Sequence, residues 1–242
     1  MRASAVVLSR QQQIREREQE RSWALRAVDE VRRLIVSVRS GWMLGRRPWV
    51  ALGLGAVTAL VYWLLGNRSI GPDLWHSGSV YASLPITTEL RRLPMSLLLP
   101  TPFLPEWGAI AQLIAVIGIG ELILGRWVTL LVALGGHTVA TLSARMAIEL
   151  GPARFTGLTP IVAHTLDTGP SAAAVAAGAC LLVTLRDKRC AALLFVALVL
   201  AALFTPGIDG FEHLVGLAFG VVAGLGIRWA RRSGFGGPTI PV

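Results

Sequence analysis

Hydrophobic and polar positions in this chain fall into long separate blocks and do not alternate at the short periods of a soluble domain. Six apolar runs stand out, near Trp49 to Gly66, Trp107 to Gly125, Trp127 to Ala147, Gly169 to Leu185, Ala191 to Thr205 and Phe211 to Ile227. Most approach the ~20 residues an α-helix needs to cross bilayer hydrocarbon. The fifth and sixth are shorter. They count as spans because unpaired backbone cannot sit in hydrocarbon, and because Arg186-Asp187-Lys188-Arg189 and Pro206-Gly207 supply turns on either side of the fifth. The pattern predicts an all-α fold, a polytopic membrane helical bundle of six transmembrane helices. Its organisation is a basic segment 1–47, a six-helix membrane domain 48–230 and a tail 231–242.

Composition strengthens this expectation. Hydrophobic residues make up 53% of the 242 positions and mean hydropathy is +0.60, a surplus that lipid must cover. Charge then orients the bundle. With the N-terminus inside, 18 of the 23 Lys and Arg residues fall on inner segments and 5 on outer ones, which predicts both termini in the cytoplasm. All basic residues but Lys188 are arginine, as the codon bias of a GC-rich bacterial genome would give, so the expected location is a bacterial plasma membrane.

Residues 1–47 carry eleven arginines against five acidic residues and contain no signal-peptide h-region. Gln11 to Val38 suits either a basic helix on the inner leaflet or a solvated tail. The net charge of +9 lies mostly along the inner membrane edge, so the lipid bilayer is the expected partner and nucleic acid is not. Cys180 and Cys190 are expected to be reduced, and neither a cofactor nor a metal is predicted.

Two outer connections differ from simple turns. The loop Asn67 to Glu106 is far longer than a helix hairpin requires. With Trp75, Tyr81, Leu84 and the run Pro94 to Pro100, it suits a segment lying in the outer interface, or else a surface loop with short helices. The second connection, Glu149 to Thr168, holds His164 and Asp167, whose spacing is a weak metal signal and fits solvated loop groups better.

Polar residues at membrane depth carry the chemical signal, because burying an ionisable or nucleophilic group there is costly. Ser171 is the third residue of the fourth run and His213 the third of the sixth, both at the outer side. The sequence His213-x-x-Gly216-x-x-x-Gly220-x-x-x-Gly224 puts the imidazole and three glycines on one helix face that another backbone can approach closely. Ser171, Ala174 and Gly178 recur at similar steps on the fourth run and predict the matching surface. A serine beside a neutral imidazole is a nucleophile–base dyad for acyl transfer, while a helix cap and a packing stripe are the structural alternatives. His137, Thr138 and Gln112 are expected to make interhelical hydrogen bonds, and Glu121 to satisfy a helix terminus or an arginine.

At these residues the chain resembles the rhomboid intramembrane serine proteases, on Gly169-Pro170-Ser171-Ala172, on His213-Leu214-Val215-Gly216-Leu217-Ala218-Phe219-Gly220 and on Gly120-Glu121-Leu122-Ile123-Leu124-Gly125. The likeness runs over roughly residues 49–229. It implies Ser171 as nucleophile and His213 as general base, with Gly169, Ala172, Gly216 and Gly220 supporting the oxyanion or the helix packing, and transmembrane proteins as substrates or clients cut near the outer face. It also implies departures from the family pattern. Pro105 and Ala109 stand where the family carries a His-x-x-x-Asn donor pair, Ala172 replaces a glycine, and Val175 replaces an aromatic. Loss of one oxyanion donor typically costs ~10² to 10³ in rate. The alternative expectation is therefore a catalytically inactive rhomboid-like protein that binds or escorts membrane helices. A small transporter would want paired charges or broken helices at the midplane.

Overall fold

The structure is a computed structural model and describes residues 25, 28–29, 31–100, 105–150, 164–184, 195–196, 198–200, 205 and 207–233. Helices form between the glycines and prolines that punctuate the apolar runs. They are α1 (Trp49–Leu65), α2 (Gly71–Gly78), α3 (Ile86–Ser96), α4 (Glu106–Ile123), α5 (Arg126–Glu149), α6 (Ser171–Thr184) and α7 (Gly207–Arg232). Residues 31–43 are helical as well. No strand forms among the described residues, and a single isolated antiparallel bridge joins Val80 to Asp167. The fold is all-α.

Helices α4, α5 and α7 are long and apolar enough to cross a membrane, and α1 and α6 are shorter apolar helices. The fifth apolar run lies mostly outside the described residues, as do the turn at 186–189, Cys190, most of segment 1–47 and residues 234–242 of the tail. Two boundaries differ from the hydropathy reading. Helix α6 starts at Ser171, after Gly169 and Pro170. Helix α7 starts earlier, on Gly207 at φ +73°, so its first two turns take in Asp209, Glu212 and His213.

Local chemistry sets how these helices pack. Glu121, near the end of α4, accepts hydrogen bonds from the backbone N–H groups of Val50 (3.3 Å) and Ala51 (2.9 Å), two of the unpaired donors at the start of α1. At the far end of the same pair, Tyr62 of α1 packs with Leu99 and Ala109, so α1 and α4 run antiparallel. Gly125, at φ +91°, turns the chain between α4 and α5, a conformation that favours glycine. Arginines at this end meet helix C-terminal carbonyls, Arg46 those of Leu122 and Ile123, and Arg228 that of Val183. The central core joins Ala51, Leu97, Leu113, Ile117, Ala133, Ala173 and Ala177, mostly small residues that let helices approach closely.

The long first loop folds inward. Leu93, Ser96, Leu97 and Leu99 are buried, and Leu97 and Leu99 fill the spaces between α1 and α4. Part of the Pro94 to Pro100 run, Ser96, Leu97 and Leu99, is therefore core, while Pro94 is exposed, and the loop forms the short helices α2 and α3. Outside, tryptophans stand at helix ends with most of their surface exposed: Trp49, Trp127 and Trp229 at one end of the bundle, Trp63 and Trp107 at the other. Exposed Leu131 and Val222 lie between these levels. Amphipathic rings at two levels with aliphatic side chains between them are the surface a bilayer solvates.

Candidate functional site

The approach to Ser171 is held by the long loop between α1 and α4. Asp167 N–H donates to Val80 O (2.9 Å), Gly169 N–H donates to Ser96 O (2.8 Å), and the Thr168 hydroxyl donates to Pro100 O (2.8 Å). Gly169 adopts φ +113°, which costs a residue with a Cβ, and this swings the chain into α6. Pro170 O accepts the first intrahelical bond, from Ala174 N–H at 2.9 Å, so Ser171 is the first helical residue. The N–H groups of Ser171, Ala172 and Ala173 consequently have no acceptor within the helix, and they point beyond its N-terminal end.

The second helix is set against this one by glycines. A Cβ on Gly216 would lie 2.9 Å from the Ala172 carbonyl oxygen and one on Gly224 2.9 Å from that of Cys180; Gly220 meets the Ala176 carbonyl more closely still. The offset is 44 residues at each contact, so α6 and α7 run parallel in constant register. At 1.5 Å per residue, His213 sits about 3 Å beyond Ser171 towards the N-terminal ends of the two helices. Both residues are half-buried, at the same end of one helix pair. They share no hydrogen bond, and His213 Nε2 is buried without a partner.

The matching surface differs from the expected one. It consists of Ala172, Ala176 and Cys180; Gly178 faces open space, and Ser171 lies one residue, about 100°, around the helix from the contact line. The predicted supporting positions separate accordingly. Gly216, Gly220 and Ala172 make the interhelical contact, and Gly169 shapes the entry to α6. Of the residues at the family's donor positions, Pro105 precedes α4 and Ala109 is buried in the apolar cluster with Val61, Tyr62 and Leu99. The donors available nearest Ser171 are the free amides of its own helix.

Other polar groups sort plainly. His137 is fully buried, and its Nε2 is hydrogen-bonded with Ser96 Oγ at 3.0 Å, an interhelical bond as expected. Gln112 Oε1 is buried with no partner, so the bond expected of that atom is not made. His164 is exposed, with Nδ1 2.9 Å from Ser83 Oγ.

Asp167 departs from the reading as a solvated loop group, being 6% exposed and accepting from the Thr141 hydroxyl at 2.9 Å. Its carboxylate gathers with those of Asp209 and Glu212, the three contributing oxygens lying within 4.8 Å of one another. The sequence reading missed Asp209 and Glu212. Their signal was two acids at i, i+3 at the mouth of an apolar helix.

Glu212, Asp167, Thr141, Arg145, Glu89 and Tyr81 line a pocket of ≈ 230 Å³, open mouth included. Arg145 there is engaged by Glu89 at 2.5 Å, by the Leu84 carbonyl and by Glu149. Burial pushes the Glu89 carboxyl above its ordinary range, against the opposing pull of Arg145. No family model, curated protein or solved structure matches this chain.

Proposed function

We propose that this chain is a rhomboid-like intramembrane serine protease, a six-span protein of a bacterial plasma membrane with both termini in the cytoplasm. Its substrates are transmembrane proteins, cut near the outer face by Ser171 and His213. The observation that carries this reading is the parallel α6–α7 register, which sets a hydroxyl and an imidazole with an unpartnered Nε2 within about 3 Å of each other in depth. The tryptophans at two levels and the three long apolar helices support the bilayer setting.

In the proposed reaction Ser171 turns about χ1 towards His213, and its Oγ attacks the scissile carbonyl carbon as the proton passes to Nε2. Charge on the carbonyl oxygen is received by the free N–H groups at the start of α6, where the helix dipole also favours an anion. The imidazolium then protonates the leaving amine as the peptide bond breaks, and water hydrolyses the acyl-enzyme by the same base. No cofactor takes part in this scheme.

A second reading, a non-catalytic protein that binds or escorts membrane helices, is favoured by the unmade Ser171–His213 hydrogen bond and by the apolar Ala109. Purified protein in liposomes with single-span model substrates separates the two. Cleavage near the outer end of the substrate helix, lost in Ser171→Ala and in His213→Ala, supports the protease. Substrate association without cleavage, indifferent to both changes, supports the binder.

A further inference from the structure

We propose that Asp167, Asp209 and Glu212 form a binding site for a divalent cation of the calcium class, at the outer end of α7. The proposal does not depend on the protease reading. Three carboxylates whose oxygens lie within 4.8 Å repel one another when ionised, and a cation between them removes that repulsion. The arginine that lines a pocket with Asp167 and Glu212 does not serve, since Arg145 is bonded to Glu89, Glu149 and the Leu84 carbonyl.

A second observation points to a ligand. Glu212 is 3% exposed, yet its Oε1 has no hydrogen-bond partner, so a strong acceptor is buried within the cluster with nothing to accept from. Buried polar atoms are nearly always satisfied, and one left open in a native fold calls for an explanation.

Donor chemistry narrows the ion. The donors are all carboxylate oxygens, which select hard cations over the transition metals that favour nitrogen and sulfur. Oxygens on opposite sides of Ca²⁺ stand about 4.6–5.2 Å apart and around Mg²⁺ about 4.0–4.2 Å, from their usual bond lengths. Three oxygens all within 4.8 Å of one another can reach one ion of either size, and three protein carboxylates in a largely buried site favour Ca²⁺, because Mg²⁺ keeps most of its waters and takes only one or two carboxylates.

The cluster is also built to be held and reached. Thr141 of α5 donates to Asp167, the Val80 bridge fixes the Asp167 backbone, and half-buried Asp209 leaves a way in from outside. A cation here would tie α5, the approach to Ser171 and the first turns of α7 together.

The test uses the full chain in a neutral detergent, stripped with chelator and titrated with Ca²⁺ or Mg²⁺ while thermal unfolding is followed. The expected result is a saturable rise in Tm with Ca²⁺, weaker with Mg²⁺ at equal concentration, and lost in Asp209→Asn and Glu212→Gln. Because Glu212→Gln could fail to fold, a second readout keeps all three carboxylates intact. Tb³⁺ is expected to show sensitised emission that Ca²⁺ displaces at one-to-one stoichiometry and that Tyr81→Phe reduces.

An unchanged Tm across the Ca²⁺ titration, or a Ca²⁺ response that Asp209→Asn leaves intact, would overturn the site. So would a stripped protein that Glu212→Gln stabilises and no cation affects, since the carboxyls would then be sharing protons.

Discussion

The α-carbon of Gly220 lies directly against the backbone carbonyl of Ala176, with no room for a Cβ between them. Small substitutions here overpack a helix contact that neither backbone can relieve alone. Gly220→Ala is expected to destabilise by about 1–3 kcal/mol net of the helix propensity it gains. Gly226→Ala is the control, because its Cβ meets nothing, and it is expected to be neutral or to stabilise by up to ~1 kcal/mol. Thermal unfolding of both variants in detergent checks the pair. Equal effects would contradict the register.

Glu121 contributes differently, through its carboxylate on the first amides of α1. Glu121→Ala leaves the buried N–H of Ala51 without its acceptor and is expected to cost about 1–3 kcal/mol. Glu121→Gln keeps one oxygen and should lose less. Chemical unfolding of the three proteins side by side reads the order, which a role for Glu121 in charge alone would reverse by making Gln as damaging as Ala.

The α7 stripe was legible in the sequence because Gly216, Gly220 and Gly224 recur at four-residue steps and glycine is conspicuous. Its partner on α6 was not. Ala172, Ala173, Ala174, Ala176 and Ala177 offer small side chains on every face, so nothing in the pattern separates the contact line from its neighbours, and Ser171 was placed on that line when it lies beside it. Hydropathy averaging hid the start of α7 as well, since Asp209, Glu212 and His213 dilute the apolar signal of the turns they occupy. Asp167 joins those acids only through the fold, held by Val80 and Thr141 from distant parts of the chain. The leucines of the Pro94 to Pro100 run were visible as apolar but carry no mark that distinguishes a core filler from a lipid contact.

Glu89 gives a pH signature. Burial raises its folded-state pKa above the unfolded value. The contribution is thus fully present below the ordinary carboxylate range and is lost as pH rises through the folded value. Glu89→Gln removes this titration along with the Arg145 ion pair. The stability difference, wild type minus Glu89→Gln, is expected to fall as pH rises above the ordinary carboxylate range of about 4, measured by unfolding at each pH. A difference that rises with pH would contradict the assignment.

In the proposed protease Ser171 and His213 supply the chemistry. Replacing either by alanine is expected to lower the rate of substrate cleavage by roughly 10³-fold or more, with little effect on unfolding temperature, since both are half-buried and neither makes a hydrogen bond to the other. Single-turnover cleavage in liposomes gives the rates. Equal residual activity in both single variants and the double variant would show the two acting as one unit.

The most direct measurement is mass spectrometry of the detergent-solubilised protein after reaction with a fluorophosphonate. The account expects one adduct, on the peptide containing Ser171, absent in Ser171→Ala and strongly reduced in His213→Ala. An adduct on another serine, or labelling of Ser171 that His213→Ala leaves unchanged, would contradict it.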